Sequence, residues 1–262
     1  MKILINYANK RFRRAQIFNT KTALEIGKVD RVLEYGPELI DKSFFEKNRK
    51  ILEQPKGAGY WLWKPYIILD ALKKFAEGDV IIYSDSASHF LTKVDYLTDL
   101  IEQSGQDVIP FELELLEKDW SKRDAFVIMG VEGLDFHLSR QRLGSPIIAK
   151  VSDFSINFFE ECLNFATDAR VICDEPNTCD LDNFIGFQAN RHDQTIFSLL
   201  SKKRGLQAFR DPSQFGNPRM AEYPSSQYPQ VMELTRQPSP KQARMFYKHR
   251  QFLKRLVKKL WN

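Results

Sequence analysis

The run Val80-Ile81-Ile82-Tyr83 has no polar alternation, and it passes from a Gly78-Asp79 turn into Ser84-Asp85-Ser86-Ala87. A strand without a polar face has to be covered on both sides, so it belongs inside an α/β sheet. Ligands of open α/β sheets bind beyond the carboxyl ends of such strands. Asp85 therefore stands where chemistry is expected, and small Ser86 and Ala87 let a ligand approach closely. A carboxylate there suits a divalent cation, manganese or magnesium, holding a phosphorylated molecule. Strands also end in aspartate to close a turn, and Asp85 alone does not separate the two readings.

The rest of the chain is consistent with one α/β domain carrying a tail. Lys2 to Tyr7 reads as a first strand, and a loop at Ala8-Asn9 leads into a basic helix with Lys10, Arg11, Arg13 and Arg14. That cluster could meet a diphosphate or form a solvated helix face. Neither G-x-G-x-x-G nor a P-loop is present, which counts against a dinucleotide or P-loop site. Val29 to Tyr35 reads as a second strand, and Pro65 fits the first turn of a helix. A helix over 94–103, a strand over 107–111, a buried element over 125–131 and helices over 152–166 and 191–206 follow. Residues 171–181 form a polar connection suited to a functional loop. Residues 211–240 hold six of the twelve prolines and should wrap the domain irregularly.

Charge and cysteines exclude several classes. The last 22 residues contain eight of the 39 Lys and Arg and no acid, leaving 31 basic against 34 acidic residues in the first 240. The net charge of +5 thus belongs to the tail, and with no recognition motif a nucleic-acid partner is not expected. Three cysteines without C-x-x-C spacing indicate neither a disulfide framework nor a zinc site. The first residues are too short and too soon polar for a signal peptide, so a cytoplasmic protein is expected.

Four segments in order, Gly57-Ala58-Gly59-Tyr60-Trp61-Leu62-Trp63-Lys64-Pro65, Gly78 to Asp85, Lys122-Arg123-Asp124 and Arg191-His192-Asp193-Gln194 with the apolar helix after it, resemble small bacterial glycosyltransferases of the GT-A type that build surface polysaccharides. The resemblance spans about residues 1–210. It implies a Rossmann-like GT-A domain with a mixed, mostly parallel central sheet, a nucleotide-sugar donor, a divalent cation and a glycan acceptor, lipid-linked in this setting. The GT-A metal motif is Asp-x-Asp, whereas the third position here is Ala87, so a single carboxylate remains.

On that basis Asp85 and His192 are the candidate metal ligands, and Asp193 is the first candidate for a catalytic carboxylate. Asp174 and Glu175 in the polar connection are the alternative base. Tyr7 and Ala8 should border the nucleotide. Lys64, Lys122 and Arg123 could take phosphate, Asp124 and Gln194 sugar hydroxyls, and Trp61 or Trp63 a sugar or base face. If the loop is extended, only one of the two tryptophans is expected as a ligand contact and the other as core. Each has a blander reading: Asp193 as a helix cap, His192 as a packed ring, residues 122–124 as surface charge, the tryptophans as core.

Residues 241–262 place Phe246, Leu253, Leu256, Val257 and Leu260 on one helical stripe and Lys248, Arg255, Lys258 and Lys259 elsewhere. That is the pattern of a basic amphipathic helix docking on an anionic membrane surface, here the inner face of the cytoplasmic membrane. A nucleotidyltransferase and a non-catalytic nucleotide-sugar-binding or assembly protein remain the competing readings. The first would ordinarily carry a Gly-rich phosphate loop that this chain lacks.

Overall fold

The computed structural model describes residues 1–238. The tail expected to form an amphipathic helix lies outside the described residues. The central sheet has the order β2-β1-β3-β8-β5, comprising β1 (Lys2–Tyr7), β2 (Arg31–Tyr35), β3 (Val80–Tyr83), β5 (Val108–Ile109) and β8 (Ile147–Lys150). Strands β1, β2 and β3 pair in parallel, β8 runs antiparallel to β3, and β5 antiparallel to β8. Four of the five strands thus share a direction, which is the mixed, mostly parallel sheet expected.

The unbroken apolar run of β3 is explained by cover on both faces. Ile81 and Tyr83 join Ile3 and Ile5 in a core built with helices α2 (Trp63–Lys74), α4 (Asp153–Ala166) and α5 (Asp193–Lys203). Ile82 joins Leu4, Ile148 and Phe90 on the other face, under helix α3 (Asp95–Ser104). Each of these fully buried side chains contributes about 1.5 to 3 kcal/mol relative to exposure. Asn6 is the polar exception in β1, buried and held by Asn19 and Gln16, both on helix α1 (Arg13–Thr22).

Three local readings are corrected. Pro110 has no N–H to give, and it splits the expected strand 107–111 into β5 and the start of β6 (Phe111–Leu116). Strand β6 belongs to a second sheet, between β7 (Arg140–Arg142) and β9 (Phe209–Arg210). The aromatic loop is not extended: residues 57 through 61 all have positive φ, and Trp63 already begins α2. The late helix starts at Asp193, with His192 outside it at φ 55°, ψ −118°.

The proline-rich segment lies back on the domain. β10 (Met232–Leu234) pairs antiparallel with β4 (Ser88–Phe90), and Arg210, fully buried, donates to the Ser226 carbonyl at 3.0 Å and to the Tyr228 carbonyl.

Candidate functional site

Parallel pairing of β1 with β3 brings Tyr7 and Tyr83 to the same sheet edge, and the chain beyond each enters a cavity of about 640 Å³. Because β8 is antiparallel, its preceding residues return to that edge: the Ser145 hydroxyl accepts from the Asp85 N–H at 2.8 Å. Asp85 keeps its carboxylate half exposed toward the cavity, where it accepts from the Tyr83 hydroxyl at 2.6 Å.

Lys64 forms the floor. Its ammonium, buried at the start of α2, lies 2.5 Å from the Asp193 carboxylate and 3.8 Å from Asp85, and donates to the Gly144 carbonyl at 3.1 Å. Burial works against the Lys64 charge, but Asp193 and Asp85 outweigh it and hold its pKa above the ordinary lysine value. At Asp193 burial dominates, and with Asp85 repelling it pushes the carboxyl up to about 6 despite the Lys64 pairing. The left-handed backbone at His192 delivers Asp193 onto Lys64, and a bulky residue at such φ/ψ marks strain that surrounding structure must sustain.

Aromatic rings wall the cavity. Tyr7 stacks on Trp63 with centroids 3.9 Å apart, and Trp63 donates from its indole to the Gly57 carbonyl at 2.9 Å. Burial, helped by Glu38, pushes the Tyr7 phenol up to about 12, so it stays protonated. Trp61 stacks on His192 at 5.3 Å, and both line the cavity, as do Ala8 and Gln194.

His192 is placed beside the site with its ring turned away from a metal role. Nδ1 faces the Ile172 carbonyl at 2.7 Å, and Nε2 lies 3.7 Å from Asp174. Asp174 is itself ion-paired with Lys56 at 2.6 Å.

Four of the sequence-selected residues serve a different loop. Lys122 donates to the Glu175 carbonyl at 2.7 Å and sits 3.5 Å from Asp124. Asp124, fully buried, accepts from the N–H groups of Thr178 and Cys179 at 2.9 Å each. Arg123 packs over the Phe184 ring at 4.2 Å and pairs with Glu132 at 3.0 Å, while Glu175 is exposed. These contacts pin residues 173–183 to the helix that begins at Arg123. None of the four lines the cavity.

The cations that do face it are Arg11, Arg191 and Arg236, with Lys56 and Lys64. The Arg191 guanidinium lies 4.2 Å from the Trp120 ring, and Arg236 lies 5.9 Å from the Phe215 ring. Neither arginine is ion-paired to a carboxylate among the described residues. Burial and the Arg236 charge lower the Arg191 pKa, and two like charges facing one opening favour an anion between them. Arg236 is brought in by the returning segment: the N–H groups of Thr235 and Arg236 donate to the Ala87 carbonyl at 2.9 and 3.1 Å. Arg191 sits within a segment chosen from sequence, and Arg11 within the basic cluster after β1. Nothing local marks Arg236, because its position depends on β10 pairing with a strand far away in sequence.

For a divalent cation the side chains present offer one half-exposed carboxylate, Asp85. Among the described residues no three His, Cys, Asp or Glu side chains converge on a metal position. Magnesium is commonly held by one or two carboxylates together with substrate phosphates, so this donor set fits a cation arriving with a phosphorylated ligand.

No protein-family model matches the sequence, and no curated protein matches it. Among solved structures, mouse xyloside xylosyltransferase 1 in its apo form is similar over 89% of this chain and 96% of its own, at 8% identity and a TM-score of 0.49. The galactosyltransferase LgtC, in complex with donor and acceptor sugar analogs, is similar over 89% and 86%, at 12% identity and a TM-score of 0.47.

Proposed function

We propose that this protein is a GT-A type glycosyltransferase that moves a sugar from a nucleotide-sugar donor to a glycan acceptor. The observation that carries the reading is the meeting of Arg191 and Arg236, without carboxylate partners among the described residues, with the Asp85-Lys64-Asp193 floor in one cavity. Guanidinium groups suit a diphosphate, carboxylates suit sugar hydroxyls, and the two lie at the carboxyl edge of a mostly parallel sheet.

The donor lies across the ends of β1 and β3, its nucleotide beside Tyr7 and Ala8, with Trp61 offering a ring face. Its diphosphate sits between the arginines and Asp85. When the sugar bond breaks, negative charge grows on the leaving diphosphate, and arginines already fixed around it stabilise that charge without reorganising. Asp85 would hold a divalent cation on the same diphosphate, supplying further charge there. Asp193 lies at the sugar end, where Lys64 keeps its carboxylate oriented and makes it the first candidate for a catalytic group. The acceptor is a glycan, lipid-linked in bacterial surface-polysaccharide synthesis, approaching from the Cys173 to Asp182 side.

Initial rates with a panel of nucleotide sugars, with and without manganese, test the reaction, and calorimetry with nucleoside diphosphates tests the site. One donor should turn over. Arg236→Ala should weaken nucleoside diphosphate binding about tenfold, ~1.4 kcal/mol. A wild-type protein that neither binds a nucleoside diphosphate nor consumes any donor would overturn the proposal.

A further inference from the structure

Glu117 is a fully buried carboxylate outside the cavity for which the proposed chemistry has no use. It accepts from Ser121 at 2.6 Å and Ser198 at 2.5 Å, and pairs with the Lys202 ammonium. It also accepts from the side-chain amide of Gln141, itself fully buried, at 3.1 Å. The Gln141 oxygen in turn accepts from the Gln194 amide nitrogen at 2.7 Å. A chain of two amides thus runs from a buried ion pair to a residue lining the cavity.

The direction of that chain is fixed by what each group can do. A carboxylate paired with an ammonium only accepts, and so does the Trp120 carbonyl, which lies 3.4 Å from the same Gln141 nitrogen. The Gln141 NH2 must therefore face Glu117, which leaves its oxygen to face Gln194. Gln194 must then turn its NH2 inward, and the atom it has left for the cavity is its oxygen. That oxygen lies against Gly144, where an added Cβ would come within 3.2 Å, and no described residue donates to it.

We infer that Glu117 and Gln141 are positioning residues that hold Gln194 as a hydrogen-bond acceptor, so the group bound there must be a donor such as a sugar hydroxyl. This rests on the proposed sugar-transfer reading for the identity of the ligand, but not for the orientation itself. Flipping Gln194 would set its oxygen against the Gln141 oxygen, and flipping both amides would set two acceptors against each other at Glu117. In a buried network, such a mismatch leaves polar groups unpaired and is disfavoured. The cavity therefore presents three acceptors together, Asp85, Asp193 and Gln194, and selects for a polyhydroxylated group.

Side-chain amide hydrogen exchange on 15N-labelled protein reads the orientation directly, with Gln194→Met identifying the signal. In the wild type the Gln194 NH2 protons should exchange at least tenfold more slowly than those of exposed glutamines, and Gln141→Met should remove the protection. With an active donor, replacing the contacted hydroxyl by fluorine, an acceptor only, should raise KM about tenfold in the wild type and much less in Gln141→Met. Gln194 protons that exchange at the exposed rate in the wild type would overturn the inference, even if Gln141→Met failed to fold. Protection that persists in a folded Gln141→Met would do so as well. Protected Gln194 protons in a protein that turns over no nucleotide sugar would leave the relay standing and remove only the sugar-transfer reading.

Discussion

Asp193 and Lys64 are the residues whose chemistry is most altered by the fold. An aspartate at the first position of a helix would normally be solvated and stabilised by the helix dipole. Here it is buried against Lys64 with Asp85 nearby, and burial pushes its carboxyl up to about 6. Below pH 6 the protonated, neutral form dominates; above it the carboxylate pairs with a lysine that stays charged throughout. If Asp193 acts as a carboxylate, kcat/KM should rise between pH 5 and 7 with a midpoint near 6. Asp193→Asn should remove most of the activity and flatten that limb, which a pH series of initial rates would show. An unchanged acid limb in Asp193→Asn would assign the titration to another group. Asp85, half exposed, and His192, with both ring nitrogens facing protein groups, show how differently two residues chosen for one role can be placed.

Among the elements, the loop before α2 does most to set the site. Five successive positive φ values at residues 57–61 turn the chain back so that Trp61 reaches His192 and Lys64 enters the floor. Three of the five, Ala58, Tyr60 and Trp61, are not glycine, and such conformations cost about 1 to 3 kcal/mol each unless their surroundings hold them. Gly59 is required on two counts: its φ is 98°, and an added Cβ would lie 2.7 Å from the Leu52 Cα. Gly59→Ala should therefore destabilise by roughly 1 to 3 kcal/mol. At about 2 to 4 °C per kcal/mol, calorimetry should record a clear fall in Tm. Gly105→Ala, left-handed but with nothing within 4 Å, should cost less, and equal losses at the two glycines would argue against backbone crowding at Gly59. The left-handed course of residues 57–61 is not legible in the sequence, because a glycine pair gives no sign of whether neighbouring residues will be forced left-handed too.

At the scale of the whole molecule, the site is closed by chain from three distant regions: β3, the turn before β8, and the segment that pairs β10 with β4 and carries Arg236. For the tail, which lies outside the described residues, we propose docking on anionic lipid, on the strength of its basic, apolar-striped sequence alone. Truncation at Pro240 should abolish pelleting with vesicles containing phosphatidylserine while leaving nucleoside diphosphate binding intact, and undiminished pelleting would remove the membrane proposal. The sequence by itself determined strands at Lys2–Tyr7, within 29–35 and at Val80–Tyr83, the cover on both faces of the last of them and the helix that ends at Ala166, because each follows from local periodicity. Tertiary structure alone decided which cations face the cavity. Lys122 and Arg123 read from sequence as phosphate ligands, but buried Asp124 and the carbonyl of Glu175 recruit their neighbourhood into a loop anchor. Arg236 carries no local signal and gains its place through strand pairing. Charge is visible residue by residue, whereas the partner that neutralises it, or its lack of one, is set by which distant backbone the fold brings alongside.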